Sequence, residues 1–397
     1  MRSSWMALRC RYDETPSRRG GAAPVNTIAP KAPTSDARSR LNSFLRRTRS
    51  LGPELRTGVT VEPLVKEAGE RVYFRVRPTS RTGVAAGEQG MATVVLCVMA
   101  EPYAPGSLPF ANSTLLYREL GVRTPRILEE APELGVIALE DLGDELLQAA
   151  VDSGDAHVSA FYDEAVDIIA RIQHEGARLA RTPEAKGYRA FAARLDEALF
   201  LRELRFFGEH FLGGHAGLRL GRPALGELDA LFAALAEEAA GGPPALAHRD
   251  FHSRNLIAGD GPHGSGPLRV LWVIDHQDSR MGPRSYDLMS LVRDPYVATA
   301  GAPSPPFREP DLVARFQDAA GIRGNPPELV AEFDAVALQR NLKALGTYGF
   351  QVSRRGNDVY RRYVTPTLRL VRENLERHSG RSDRRGLGRI LADVPDG

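Results

Sequence analysis

The sequence HRDFHSRNL at residues 248–256 is followed by WVIDHQD at residues 272–278. The first stretch matches the pattern H-R-D-x-x-x-x-N, in which a carboxylate orients an acceptor hydroxyl and an asparagine ligates a metal. Asp250 and Asn255 hold these two positions, and Asp275 ends an apolar run, as expected for a carboxylate at a strand end. Hard oxygen ligands of this kind suit magnesium on nucleotide phosphates. The pattern therefore predicts a phosphoryl-transfer site, with Asp250 catalytic and Asn255 and Asp275 as Mg²⁺ ligands.

The neighbouring polar residues allow more than one interpretation. His248 is expected to brace the loop rather than to carry a proton. Arg249 is expected either to neutralise charge near the site or to pair with a buried acid. Asp287 follows Gly282-Pro283 at the start of a helix, where it is expected to cap the helix and brace the catalytic loop.

Five further segments extend the pattern over most of the chain: ERVYFRV (70–76), TPRIL (124–128), ALEDLGD (138–144), GPRSYDLMSLVRD (282–294) and QRNLKALG (339–346). Together with the two central stretches they resemble the aminoglycoside phosphotransferase and choline kinase superfamily. Within it, the chain is most similar to the bacterial anomeric kinases of N-acetylmuramate and N-acetylglucosamine. The DFG and APE segments of protein kinases are missing, so a protein kinase is not expected.

The resemblance implies an α+β, bilobal, protein-kinase-like fold. Residues 1–45 are expected to be a disordered extension, 46–139 a small β-rich N-terminal lobe, and 140–395 the hinge and a larger helical C-terminal lobe. Apolar periodicity predicts the elements themselves. They are a helix at 42–55, strands at 59–65, 71–77, 92–99, 126–130 and 135–140, a helix at 110–120, and C-terminal helices at 189–207, 226–240, 285–295, 310–321, 327–350 and 357–378.

ATP and Mg²⁺ are the cofactors that the resemblance implies. Main-chain groups from Glu140 to Leu142 are expected to receive the adenine at the hinge. The third strand should carry a lysine for the nucleotide phosphates, but VVLCVMAEP at 94–102 has none. Arg71 is the first choice for the missing positive charge, with Lys66 and Arg75 as alternatives.

The predicted reaction is transfer of the ATP γ-phosphate to a hydroxyl, the anomeric one, of an N-acetylated amino sugar. Arg340 and Asn341 are expected to line the acceptor pocket or, alternatively, to lie on a solvated helix face. Two alternatives remain open: an aminoglycoside or choline-like kinase, which would need an acidic pocket for its cationic acceptor, and a nucleotide-binding pseudokinase.

Composition agrees with a small-molecule enzyme. The chain has 397 residues, 42% of them hydrophobic, and a net charge of +2, so no nucleic-acid or membrane partner is expected. Its two cysteines, Cys10 and Cys97, exclude a disulfide framework. No apolar run approaches the roughly 20 residues of a membrane span, and we expect a cytoplasmic enzyme.

Overall fold

The computed structural model describes residues 35–48, 51, 58–64, 71–79, 93–260, 269–297, 307–323 and 326–395. Its N-terminal lobe is an antiparallel five-stranded sheet in the order β1-β2-β3-β5-β4. The strands are β1 (Val59–Leu64), β2 (Val72–Pro78), β3 (Val94–Val98), β4 (Ile127–Ala131) and β5 (Val136–Glu140). Each lies where the sequence pattern predicted a strand, because alternating apolar side chains fit the two faces of a sheet.

Two helices cover the opposite faces of this sheet. The helix α2 (Pro109–Glu119) packs on the face that turns toward the second lobe, and α1 (Ser35–Arg47) packs on the outer face. Arg40 fastens α1 by donating hydrogen bonds to the carbonyl oxygens of Leu134, Met99 and Ala100.

The predicted boundary between the extension and the N-terminal lobe was therefore wrong. The helix begins at Ser35 rather than at residue 42, and the lobe includes it. Its apolar residues Ala37, Leu41, Phe44 and Leu45 recur at helical spacing and are buried against the sheet. The expected disorder of the remaining extension, 1–34, lies outside the described residues.

The C-terminal lobe is helical, as predicted. Its helices are α3 (Leu147–Ser153), α4 (Val158–Leu179), α5 (Arg189–Ala192), α6 (Glu197–Phe207), α7 (Arg222–Ala240), α8 (Tyr286–Val292), α9 (Glu309–Ala319), α10 (Pro326–Arg355), α11 (Val364–Arg377) and α12 (Ser382–Ala392). Four short strands, β6 (Pro244–Ala247), β7 (Leu256–Asp260), β8 (Arg269–Val273) and β9 (Arg280–Pro283), form the antiparallel pairs β6-β9 and β7-β8. Among the helices of the described ranges, none combines the length and the apolar character needed to cross a bilayer.

One predicted helix, 189–207, is broken in the structure. The N–H of Leu195 donates to the carbonyl oxygen of Met281, and the N–H of Met281 donates to that of Ala193, so the chain is extended beside β9 here. Asp196 then caps α6 by accepting a hydrogen bond from the N–H of Leu199 at 2.8 Å. Pairing with a distant strand outweighs the local helical preference.

The long helix α10 passes very close to the chain around α6. A Cβ atom at Gly346 would lie 2.8 Å from the Cα atom of Phe207, and one at Gly349 would lie 2.5 Å from the carbonyl oxygen of His210. Only glycine permits this approach without displacing the backbone. The two glycines thus fix the position of α10, whose preceding turns reach the loop that carries Asp250.

Candidate active site

The loop between β6 and β7 is held by two buried aspartates, one in the first turn of α8 and one just after its end. Asp287 accepts hydrogen bonds from the N–H groups of His248 and Arg249 at 2.6 and 2.9 Å. Asp294 accepts one from the N–H of Ser253 at 2.8 Å. The predicted bracing role of Asp287 is confirmed, whereas its predicted capping role was wrong, because both of its carboxylate oxygens bind the loop. Burial raises the pKa of both carboxyl groups, and hydrogen bonds from the loop oppose that shift.

We expect Asp287→Ala to lower the free energy of unfolding by about 2–4 kcal/mol, because two buried N–H groups lose their acceptor. Relief from burying a carboxylate offsets part of this cost. Thermal and urea unfolding measure the change, with Asp311→Ala on the exposed first turn of α9 as the control. An unfolding midpoint equal to that of the control would show that Asp287 does not hold the loop.

Asn255 connects the loop that carries Asp250 to the chain that carries Asp275. Its side-chain N–H donates to the main-chain carbonyl oxygen of Asp250 at 2.8 Å. Its main-chain carbonyl oxygen accepts a hydrogen bond from the N–H of Ile274 at 3.0 Å. Ile274 directly precedes Asp275. The structure therefore brings the three residues predicted from the motif, Asp250, Asn255 and Asp275, into one hydrogen-bonded unit. His248 braces the same unit, with its Nε2 atom 3.0 Å from the carbonyl oxygen of Ile274.

The arrangement of Asn255 and Asp275 fits a magnesium ion. Because the amide nitrogen of Asn255 is bound to the loop, its amide oxygen is left to serve as a ligand. One carboxylate oxygen of Asp275 accepts a hydrogen bond from Gln277 at 2.8 Å, which orients the carboxylate. In the described part of the chain, His, Cys, Asp and Glu form no cluster of three or more that would hold a metal. Two oxygen ligands match Mg²⁺, which completes its shell with water and substrate phosphates.

Backbone strain also concentrates here. In the described ranges, two non-glycine residues have positive φ, Arg249 at 83° and Asp275 at 62°. Such conformations cost energy and cluster at functional sites, where the surrounding structure maintains them. Arg249 donates to the half-buried Glu203 at 3.1 Å, which confirms the interpretation of Arg249 as the partner of an acid.

His276 stands where a phenylalanine is common in kinases. Its Nε2 atom lies 2.8 Å from the hydroxyl of Thr114 on α2, between the rings of Phe110 and Tyr117. Burial, with the nearby charges of His248 and Arg71, lowers the pKa of His276 to about 3, so the ring is neutral at pH 7. The loop that carries Asp275 is thus tied to α2 by a hydrogen bond as well as by packing.

Two cations of α10 flank the carboxylate of Asp250. The Nζ atom of Lys343 lies 3.2 Å from Oδ1 of Asp250, and a guanidinium nitrogen of Arg340 lies 3.7 Å from the same oxygen. Burial opposes ionisation of Asp250, but Lys343, Arg340 and Arg249 outweigh it and hold its pKa well below the ordinary value. Asp250 is therefore a carboxylate at neutral pH.

The sequence interpretation included Arg340 but missed Lys343. Two signals in the sequence would have found it: Lys343 follows Arg340 at helical spacing, and it is one of only four lysines in the chain. Arg340 and Asn341 are both buried, so the alternative of a solvated helix face was wrong. Asn341 donates to the carbonyl oxygen of Arg293 at the end of α8, at 3.4 Å. Its side-chain amide is thus engaged inside the C-terminal lobe, and its place in the acceptor pocket stays a prediction.

The three candidates for the missing phosphate-binding cation differ in their surroundings. Arg75 forms a bidentate ion pair with Asp141 at 2.7 and 2.8 Å and also contacts Asp144, so its charge is engaged at the hinge. Burial disfavours the charge on Arg71, but Tyr73, Cys97 and Asp275 raise its pKa. Asp275 makes the smallest of these contributions to the pKa of Arg71, and Lys66 lies outside the described residues.

The hinge follows β5 and joins two apolar surfaces. Leu139 and the half-buried Val95 belong to a cluster on the N-terminal lobe. Leu142 packs in a second cluster with Ile257 and Ile274 of the C-terminal lobe. The N–H of Glu140 donates to the carbonyl oxygen of Arg126 at 2.9 Å, so this N–H is engaged within the sheet.

A five-stranded lobe, a hinge, and a helical lobe that carries H-R-D-x-x-x-x-N and a second aspartate define a kinase-like phosphotransferase. The sequence profile of the Phosphotransferase enzyme family matches residues 60–330, and the chain belongs to that family. It is therefore a kinase enzyme, and the superfamily resemblance and the bilobal α+β fold predicted from the sequence are confirmed.

Several named proteins are similar to the chain. The N-acetylmuramate/N-acetylglucosamine kinase of Pseudomonas aeruginosa is 28% identical, over 84% of this chain and 88% of that protein. The kinase of the same name from Neisseria meningitidis is 29% identical, over 72% of this chain and 80% of that protein. Choline kinase from Cryptosporidium parvum shares the fold with a TM-score of 0.50 at 10% identity, over 85% of this chain and 97% of that one.

Proposed function

We propose that this kinase transfers the γ-phosphate of ATP to the anomeric hydroxyl of an N-acetylated amino sugar. The observation that carries the choice of acceptor is the pair of cations beside Asp250, Lys343 at 3.2 Å and Arg340 at 3.7 Å. The similarity to kinases named for N-acetylmuramate and N-acetylglucosamine supports the same acceptor class.

Charge separates this proposal from its same-fold alternatives. An aminoglycoside or choline would bring a cation close to Asp250, next to the ammonium of Lys343 and the guanidinium of Arg340. Repulsion between like charges at such distances costs about 1–4 kcal/mol in a partly solvated site. A neutral or acidic sugar carries no such penalty, and the carboxylate of N-acetylmuramate would gain from the cations.

Asp250 would orient the acceptor hydroxyl and accept its proton late in the transfer. The anomeric hydroxyl of a sugar is more acidic than its other hydroxyls, which lightens the demand on this carboxylate, whose pKa is low. Asn255 and Asp275 would hold Mg²⁺, which when bound neutralises charge on the nucleotide phosphates. Arg71 is proposed for the phosphates on the N-terminal lobe.

The adenine site is proposed between the two apolar clusters of the hinge. The carbonyl oxygen of Glu140 and the main chain of Leu142 would bind the base, since the N–H of Glu140 is already engaged by Arg126. Leu139 and Ile257 offer apolar surface on the two sides.

The test is Mg²⁺-dependent ATP consumption with N-acetylmuramate, N-acetylglucosamine, kanamycin and choline as separate acceptors. We expect turnover with an amino sugar, and a product whose phosphorus-31 spectrum shows phosphate on the anomeric carbon. Turnover restricted to kanamycin or choline would refute the proposed acceptor. Nucleotide binding without turnover on any of the four would favour the pseudokinase alternative.

A further inference from the structure

The strand β3 lacks the lysine that kinases place against the nucleotide phosphates, and the transferred group still carries negative charge that needs cations. Among the described residues, the sequence supplies two lysines, Lys186 and Lys343. Lys186 is exposed in a short turn, Pro183–Gly187, whereas Lys343 lies at the catalytic carboxylate.

The distance between Lys343 and Asp250 puts the ammonium within reach of the proposed path of phosphoryl transfer. An acceptor oxygen hydrogen-bonded to Asp250 lies about 2.7 Å from the carboxylate, and the γ-phosphorus lies roughly 3 Å further in a reactive complex. Because Nζ of Lys343 is 3.2 Å from the same carboxylate, it stands at the acceptor end of this path.

The ammonium of Lys343 also has donors to offer. An ammonium has three N–H groups, and in the described part of the chain the acceptor found for Nζ is Oδ1 of Asp250. The side chain retains 19% of its exposure, so it is not fully enclosed by the core. Arg340 differs, because it is 7% exposed and its guanidinium lies over the ring of Tyr286 at 5.5 Å.

We propose that Lys343 is a catalytic residue that donates a hydrogen bond to the transferred γ-phosphoryl group and supplies, from the C-terminal lobe, a cation that β3 does not provide. The acceptor oxygen forms the new bond to phosphorus while the bond to the β,γ-bridging oxygen breaks. The acceptor proton passes to Asp250, and Lys343 remains protonated throughout. Arg340 is a positioning residue that holds Asp250. The inference rests on the proposed phosphoryl transfer from ATP, but not on the identity of the acceptor.

The test compares the affinities of the full chain for MgATP and MgADP by calorimetry, without any acceptor. Lys343→Met removes the charge, Lys343→Gln keeps a hydrogen-bond donor toward Asp250, and Lys343→Arg keeps the charge. Lys186→Met, at an exposed site, is the matched control. We expect Lys343→Met to weaken MgATP binding about ten- to a hundredfold, as for a lost charge-assisted hydrogen bond, with MgADP affinity within about twofold.

Lys343→Gln is expected to show the same selective loss, and it replaces Lys343→Met in the comparison if the latter fails to fold. Lys343→Arg is expected to retain most of the MgATP affinity. Equal losses for MgATP and MgADP, or an unchanged ratio of the two affinities, would overturn the role of Lys343. A selective loss in a protein that phosphorylates no amino sugar would sustain Lys343 and refute the acceptor. Amino-sugar turnover, together with an unchanged ratio of MgATP to MgADP affinity in the Lys343 variants, would sustain the acceptor and refute the role of Lys343.

Discussion

Asp250→Asn is expected to slow phosphoryl transfer by about 10²–10⁴-fold, the range for loss of a positioned general base, with MgATP affinity changed by less than about threefold. The asparagine keeps the shape of the side chain but cannot accept the acceptor proton. Nucleotide affinity is preserved because the proposed base, phosphate and metal contacts lie on the hinge, Arg71, Lys343, Asn255 and Asp275, and the substitution changes none of these. Single-turnover transfer rates and calorimetric binding measure the two quantities separately.

Asp278→Asn is the matched control for this variant. Asp278 lies on the neighbouring loop, is 53% exposed, and contacts Arg249 and Arg280 at 3.8 and 3.6 Å. We expect its loss to change turnover by less than about threefold, because exposed ion pairs contribute roughly 0–1 kcal/mol. A transfer rate in Asp250→Asn as high as in this control would eliminate Asp250 as the proton acceptor and leave positioning alone to explain the reaction.

Asp275→Asn is expected to abolish the dependence of ATP binding on Mg²⁺ and to lower turnover by about a thousandfold or more, since a bound metal contributes several kcal/mol of charge stabilisation. The substitution removes a negative charge at the site where Asn255 and Asp275 offer oxygen ligands. ATP affinity measured with Mg²⁺ and with a chelator gives the metal-dependent part directly.

The unfolding temperature gives an independent measurement of the Mg²⁺ effect in Asp275→Asn. In the unmodified protein, MgATP should raise the unfolding temperature more than ATP in the presence of a chelator, because a tighter ligand stabilises the folded state more. This difference should vanish in Asp275→Asn and persist in Asp278→Asn, which shares the same turn. A preserved Mg²⁺ effect in Asp275→Asn would move the metal site elsewhere.

The sequence by itself identified the kinase class and the three residues predicted to form the central site. Asp250 and Asn255 lie in one short loop, and Asp275 follows the next hairpin, so local chain geometry alone brings them within reach of one another. The five strands of the N-terminal lobe could also be predicted from the sequence, because the hydrophobic pattern along a strand is a local property. The amphipathic spacing of α4 is likewise a local property, and its buried face includes Phe161, Ile169 and Ile172.

Tertiary structure alone decided which distant residues meet. Lys343 and Asp250 are 93 residues apart, and helical spacing shows that Arg340 and Lys343 share a face but not which loop that face contacts. The pairing of Arg75 with the hinge acid Asp141 depends in the same way on the packing of separate segments. Contacts of this kind arise from burial and charge pairing between elements, which no local pattern encodes. The type of reaction could therefore be predicted from the sequence. The cations that surround the Asp250 carboxylate could be identified only from the tertiary structure.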